Sequence, residues 1–155
     1  MTNPAHPGRM LFVNIPVADL ERSKAFFAKL GFSYNPKFTG DGAACMLIGE
    51  HAFVMLSSRE KFAELSKLPI ADPTTHALAL YSFSVSSREE VDAVSAAALA
   101  AGGTEADGAE DYGFMYSRSF FDLDGHGWQV MWMDPAAAEQ GPEAVAASAE
   151  ERIPG

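Results

Sequence analysis

A single cysteine, Cys45, is all the thiol chemistry this chain has, so no internal disulfide can close, which agrees with a reducing compartment. It lies in the strand-like run AACMLIG (43–49). A buried, inert thiol is expected there, because no activating base is visible beside it. Long apolar runs are missing too: no segment approaches the roughly 20 residues of a membrane span, and the opening MTNPAHPGRM has no apolar stretch of the secretory kind. Those absences predict a cytoplasmic protein. Positive charge is scarce as well. Eleven Lys and Arg stand against 21 Asp and Glu, a formal net charge of -10, which opposes binding to nucleic acid or to an anionic membrane. A ligand is expected to be neutral, cationic or enclosed.

What is present suits one globular core: 48% of the residues are hydrophobic and only 21% charged, too apolar a balance for a disordered chain. The β-branched and aromatic run LFVNIPV (11–17) predicts a strand. In ADLERSKAFFAKLGF, Asp19 can cap a helix that Gly31 closes. At 100° per residue Leu20, Ser23, Phe26, Phe27 and Leu30 share one arc of it, the stripe of a helix lying on a sheet. FSYNPKF (32–38), AACMLIG (43–49) and HAFVMLS (51–57) predict three more strands, followed by a short helix that Ser57 and Glu60 can open as a capping box.

The pattern then returns. HALALYSFSV (76–85) predicts a strand, and SREEVDAVSAAALAAGG a helix opened by Ser87 and Glu90 and stopped by Gly102 and Gly103. GTEAD, YGFMYSRSFFD and GWQVMWM predict three further strands. The expectation is α+β, with two consecutive βαβββ modules: module one 10–57, a connector 58–75 and module two 76–134, within one domain spanning 10–134. Duplication of one unit suggests two curved mixed sheets enclosing a cavity, the natural place for a ligand. The acidic, Ala/Glu-rich tail 135–155 is expected to be a frayed helix or an arm packed on a partner.

The paired β-α-β-β-β order, the entry FVNIPVADLERSKAFFAKLGF and the ending FFDLDGHGWQVMWMD together resemble the vicinal oxygen chelate superfamily, which includes glyoxalase I, bleomycin-resistance proteins and extradiol dioxygenases. The resemblance covers residues 10 to 134. It implies metal ligands, His or Glu, on the first and last strands of the two modules of catalytic members. Seven residues before the capping Asp19 this chain has Phe12, and seven after Asp122 it has Gln129. The other two positions fall on Met55 and Leu80. Phenyl and isobutyl groups donate nothing, a thioether suits soft ions and an amide binds weakly, so no metal ligand and no cofactor is expected.

Could histidines rebuild such a centre? His51 and His126 fall in corresponding turns, where imidazoles are expected to face solvent, while His6 and His76 lie elsewhere. DLDGH is too short for a calcium loop. By strand alternation Asn14 joins Phe12, Ser82 joins Leu80 and Met131 joins Gln129. With Met55, Tyr116 and Arg118 these residues predict an apolar, polarizable ligand-binding pocket with a few hydrogen-bonding tips. Arg118 could hold a carboxylate or pair with Asp122 or another acidic group. Alternatively the core is filled, with Asn14 and Gln129 satisfying each other or nearby backbone.

Three functions therefore stand open: a metal-independent binder of a small organic molecule, resembling bleomycin-resistance proteins; a glyoxalase-like lyase or isomerase, with Tyr116 and His76 as acid-base candidates; and a structural dimer module. The resemblance favours a homodimer.

Overall fold

Asp19 starts the first helix by accepting a hydrogen bond from the Arg22 backbone N–H at 3.1 Å, the capping geometry its sequence position predicts. In the computed structural model, which describes residues 6–141, the chain divides into two compact units, Met1–His76 and Ala77–Gly155. Among the described residues they hold two mixed sheets of three and four strands with their helices, an α+β fold of two related modules.

Module one contains β1 (Leu11–Val17), α1 (Leu20–Lys29), β2 (Ala43–Gly49), β3 (Ala52–Ser58) and α2 (Arg59–Leu65). The sheet order is β1-β3-β2, with β1 parallel and β2 antiparallel to β3. One sheet face carries Ile15, Val17, Ala44, Met46, Val54 and Leu56, all buried. The helix stripe of Leu20, Ser23, Phe26, Phe27 and Leu30 is buried with it. Phe26 and Phe27 meet edge to face at 4.9 Å, and full burial of each ring is worth about 1.5–3 kcal/mol.

Residues 32–38 do not form the expected strand. Only Tyr34 bridges to β2, opposite Met46. Two ladder bonds survive beside it, Leu47 N–H to Ser33 O and Asn35 N–H to Cys45 O, both at 2.9 Å. Pro36 then fixes its own φ and lacks a donor, and Asn35 caps a single 3₁₀ turn, Pro36–Phe38, by accepting from Lys37 N–H at 3.0 Å. The Thr39 hydroxyl takes over the next ladder position, accepting from Cys45 N–H at 3.1 Å. The cap of α2 also moves by one residue: Ser58, not Ser57, accepts from Lys61 N–H, because β3 continues through Ser58 and buries Ser57.

Module two contains β4 (Leu80–Ser84), α3 (Arg88–Ala100), β5 (Thr104–Asp111), β6 (Met115–Phe121), β7 (Gly127–Met133) and α4 (Pro135–Gln140). Its sheet order is β4-β7-β6-β5; β4 runs parallel to β7 and the other pairs are antiparallel. β4 begins later than expected, at Leu80 rather than His76. Ser87 caps α3 by accepting from Glu90 N–H at 3.1 Å, and Gly102, with φ +109°, ends it. Val91, Val94 and Ala98 of α3 are buried, as are Phe120, Trp128 and Val130 of the sheet. Every residue of β5 is exposed, and its pairing with β6 shifts register twice, between Glu105 and Asp107 and between Asp107 and Glu110. Of the tail, Pro135–Gln140 is a short helix capped by Asp134. The expectation for 142–155 lies outside the described residues.

Candidate functional site

Strand alternation gives each sheet a second face, away from its buried helix. In module one that face carries Phe12, Asn14 and Met55 together, because Phe12 pairs with Phe53 and Asn14 with Met55. The Phe12 and Phe53 rings stack at 4.8 Å and 17°, yet Phe12 keeps 45% of its surface exposed. Cys45, opposite Met55, is buried. Burial pushes its thiol pKa up, away from the thiolate that nucleophilic chemistry requires.

In module two the corresponding face carries Leu80, Ser82, Gln129 and Met131, with Ser82 opposite Gln129 on β7. Gln129 is tied within its own module. The Ser82 hydroxyl donates to its Oε1 at 3.1 Å, and its Nε2 donates to the Ser117 hydroxyl at a long 3.5 Å. Ser119 lies directly opposite Gln129, and Ser117 opposite Met131. Ser117 and Ser119, with Met115 and Phe121 further along β6, are members of this face that sequence reasoning missed. Leu80, 59% exposed, lies beside Gly127, where an added Cβ would meet Leu80 Cδ1 at 3.4 Å and Phe121 Cε1 at 3.8 Å.

Tyr116 and Arg118 do not join Gln129. They pair with Trp132 and Val130, which puts them on the opposite face of the sheet, against α3. The Tyr116 hydroxyl donates to Asp92 Oδ1 at 2.6 Å, and this bond, with burial second, pushes the phenol pKa up. Arg118 donates to Asp92 at 3.5 Å and to Glu105 at 3.1 Å. Its partner is thus an acidic pair and not Asp122. Arg88 of α3 forms a two-pronged bridge to Asp111, at 2.8 and 2.9 Å, and its guanidinium lies 5.2 Å from the ring centroids of both Tyr116 and Trp132. These ions brace α3 to its sheet.

The 122–126 turn holds a second surprise. Asp122 and His126 are both buried, at 7% and 8% exposure, whereas His51 remains exposed in its turn. Asp122 Oδ1 accepts from the backbone N–H groups of Asp124 (2.9 Å) and His126 (3.0 Å), and its Oδ2 accepts from Trp128 Nε1 at 2.9 Å. Burial pushes its pKa up, against the charge of His126 and those three donors. The D-x-D-G turn is therefore closed chiefly by Asp122, with Gly125 at φ +96°. His76 bonds Thr75 Oγ1 through Nδ1 at 2.8 Å and is exposed.

Among the described residues no three His, Cys, Asp or Glu side chains come together as a metal-holding group. The side chains at the four positions where the resemblance implies ligands, Phe12, Met55, Leu80 and Gln129, have the wrong donor chemistry for Zn, Ni, Mn or Fe. They do not fit such an ion.

Residues 9–49 match the family described as bleomycin resistance protein-like N-terminal. Among solved structures, hypothetical protein SA1046 from S. aureus is 29% identical, with a TM-score of 0.68 over 83% of this chain and 95% of that one. A glyoxalase/bleomycin resistance protein/dioxygenase family enzyme from Burkholderia phytofirmans PsJN is 18% identical, with a TM-score of 0.67 over 81% and 99%. The fosfomycin resistance protein FosX from Listeria monocytogenes is 17% identical, with a TM-score of 0.59 over 82% and 94%. The latter two likenesses are of fold alone. No curated protein matches the chain.

Proposed function

We propose that the chain, with its paired modules and its bleomycin-resistance-like first segment, is a member of the vicinal oxygen chelate superfamily that binds a small organic molecule without using a metal ion. One observation carries the reading: the open sheet faces present Phe12, Asn14 and Met55 in one module and Leu80, Ser82, Gln129 and Met131 in the other, apolar and polarizable groups with neutral hydrogen-bonding tips. Catalysis is the poorer fit. A general acid or base needs a titratable group near its working pH and within reach of the substrate, whereas Tyr116 is bonded to Asp92 on the α3 face and its pKa is pushed up. The same reading carries a homodimer in the cytoplasm.

Metal analysis of protein purified without chelator tests the first half. Trace zinc, nickel, manganese and iron are expected; one equivalent of any of them would overturn the metal-free reading. A thermal-shift panel of small molecules tests the second. A compound at 100 times its Kd adds about 2.7 kcal/mol, or about 5–10 °C for a chain of this size. A broad panel without a single shift would leave the filled core or the bare dimer module in its place.

A further inference from the structure

The hydrogen bonds around Gln129 leave a remainder. A carboxamide has two N–H donors and each serine one O–H. Within the Ser82–Gln129–Ser117 triad two donors are used, Ser82 Oγ–H to Oε1 and one Nε2–H to Ser117 Oγ. One amide N–H and one serine O–H are left over. Exchanging the amide oxygen and nitrogen would only swap the roles of the two serines, so the remainder is the same either way. As assigned, the spare O–H is that of Ser117, which is 1% exposed, where a donor without an acceptor loses its hydration. With the amide exchanged it is that of Ser82, which is exposed, and in both cases the spare amide N–H lies on the half-buried Gln129.

The surroundings narrow what could supply that acceptor. Leu80 and Phe121 close over Gly127 at one end of the face, and Met131, Met133 and Met115 continue it at the other. The residues of β4, β6 and β7 on this side include no Lys or Arg; Arg118 is turned to the other side. The β5 register partners of Ser119 and Ser117 are Asp107 and Glu110. An anionic acceptor would therefore find no cation on these three strands, and the next strand carries carboxylates. An ammonium group would find charge at the β5 edge but nothing to take the spare donors.

Resting on the binding reading above, we propose that the Ser82–Gln129–Ser117 triad recognises an uncharged carbonyl oxygen, of a ketone, ester or amide, on an otherwise apolar ligand. The ligand oxygen takes the spare amide N–H and serine O–H, while its hydrocarbon lies on Leu80 and the methionines.

Four probes of one shape test this: 2-acetylnaphthalene, 2-ethylnaphthalene, 2-naphthoate and 2-naphthylmethylammonium, each titrated into the full chain with the Gln129 side-chain amide signals followed by NMR. The ketone is expected to bind about three- to tenfold tighter than the ethyl compound, the worth of one or two net hydrogen bonds, and to move the Gln129 amide signals. Gln129→Leu should erase that advantage while leaving the ethyl compound's affinity in place. Should that variant not fold, the wild-type amide signals alone decide. Equal binding of ketone and ethyl compound, unmoved Gln129 signals, or preference for the carboxylate or the ammonium would overturn the carbonyl assignment and leave the binding reading standing. If none of the four binds, the carbonyl assignment falls, and the broad thermal-shift panel decides the binding reading separately.

Discussion

Replacing Asp122 by Ala should be among the most damaging single changes in module two. The side chain accepts three N–H groups and is 7% exposed. Two of those donors are buried, Trp128 Nε1 and the His126 amide; the third, at Asp124, lies where water reaches it. Each orphaned buried donor costs about 1–3 kcal/mol, partly offset because a desolvated charge is removed, so the net loss at neutral pH is about 2–4 kcal/mol. Urea unfolding followed by circular dichroism reads it directly. Trp128→Phe breaks the same bond from the other end, so the double variant should cost about 1–2 kcal/mol less than the two single costs added together. Substitution by Asn adds a pH signature. Because burial raises the native pKa of Asp122, its contribution is fully present below the ordinary carboxylate value of about 3.9 and is lost as pH rises through the raised native value. Asn does not titrate, so the wild type's margin over Asp122→Asn should shrink with rising pH across that window. An Asp122→Ala cost under about 1 kcal/mol, or strict additivity with Trp128→Phe, would refute the account of the turn.

Two further outcomes follow from the same kind of accounting. Asp111 is held at a pKa of about 2, first by its hydrogen bonds from Arg88 and then by Gly113 N–H; in Arg88→Gln, carboxyl NMR should find it moved up toward the ordinary range. The stabilising contribution is present above the ordinary carboxylate pKa and is lost as pH falls toward 2, so wild type and variant should converge in stability at the acid end. Gly31 and Gly102 both end helices at positive φ, +103° and +109°, but only at Gly102 does an added Cβ meet a neighbour, Leu123 Cδ2 at 3.1 Å. Ala should cost about 1 kcal/mol at position 31 and about 0.5 kcal/mol more at 102, measured by urea midpoints; equal costs would mean that Leu123 yields freely.

The elements that could be read from the sequence were those whose signals are local. Asp19 and Ser87 both cap as expected, and the apolar arc of the first helix is the buried one, because capping and helical period are set within a few residues. FSYNPKF reads as a strand because its aromatic and β-compatible residues outweigh Pro36, while the competing bond, donated by the Cys45 amide to Thr39 Oγ1, joins residues six apart. Within the candidate site, Phe12, Asn14 and Met55 share a face, and so do Leu80, Ser82, Gln129 and Met131. Tyr116 and Arg118 were misassigned because YSRSFF carries large and polar residues at both parities. The signal was available: once the 122–126 turn sets Phe121 opposite Gly127, counting back places Ser119 opposite Gln129 and Arg118 opposite Val130. The burial of Asp122 and His126 had no such signal, since it depends on where the Trp128 indole points.

The outer strand of module two deserves a last consequence. A foreign chain docks onto a sheet margin by repeating its donor and acceptor spacing over several consecutive residues. β5 breaks that spacing twice within eight residues and carries Glu105, Asp107, Glu110 and Asp111 along it, so an incoming segment loses phase and meets repulsion together. This flank guards the protein against fibril growth through geometry as well as charge, and the geometric half of the protection persists in acid, after the carboxylates have been neutralised.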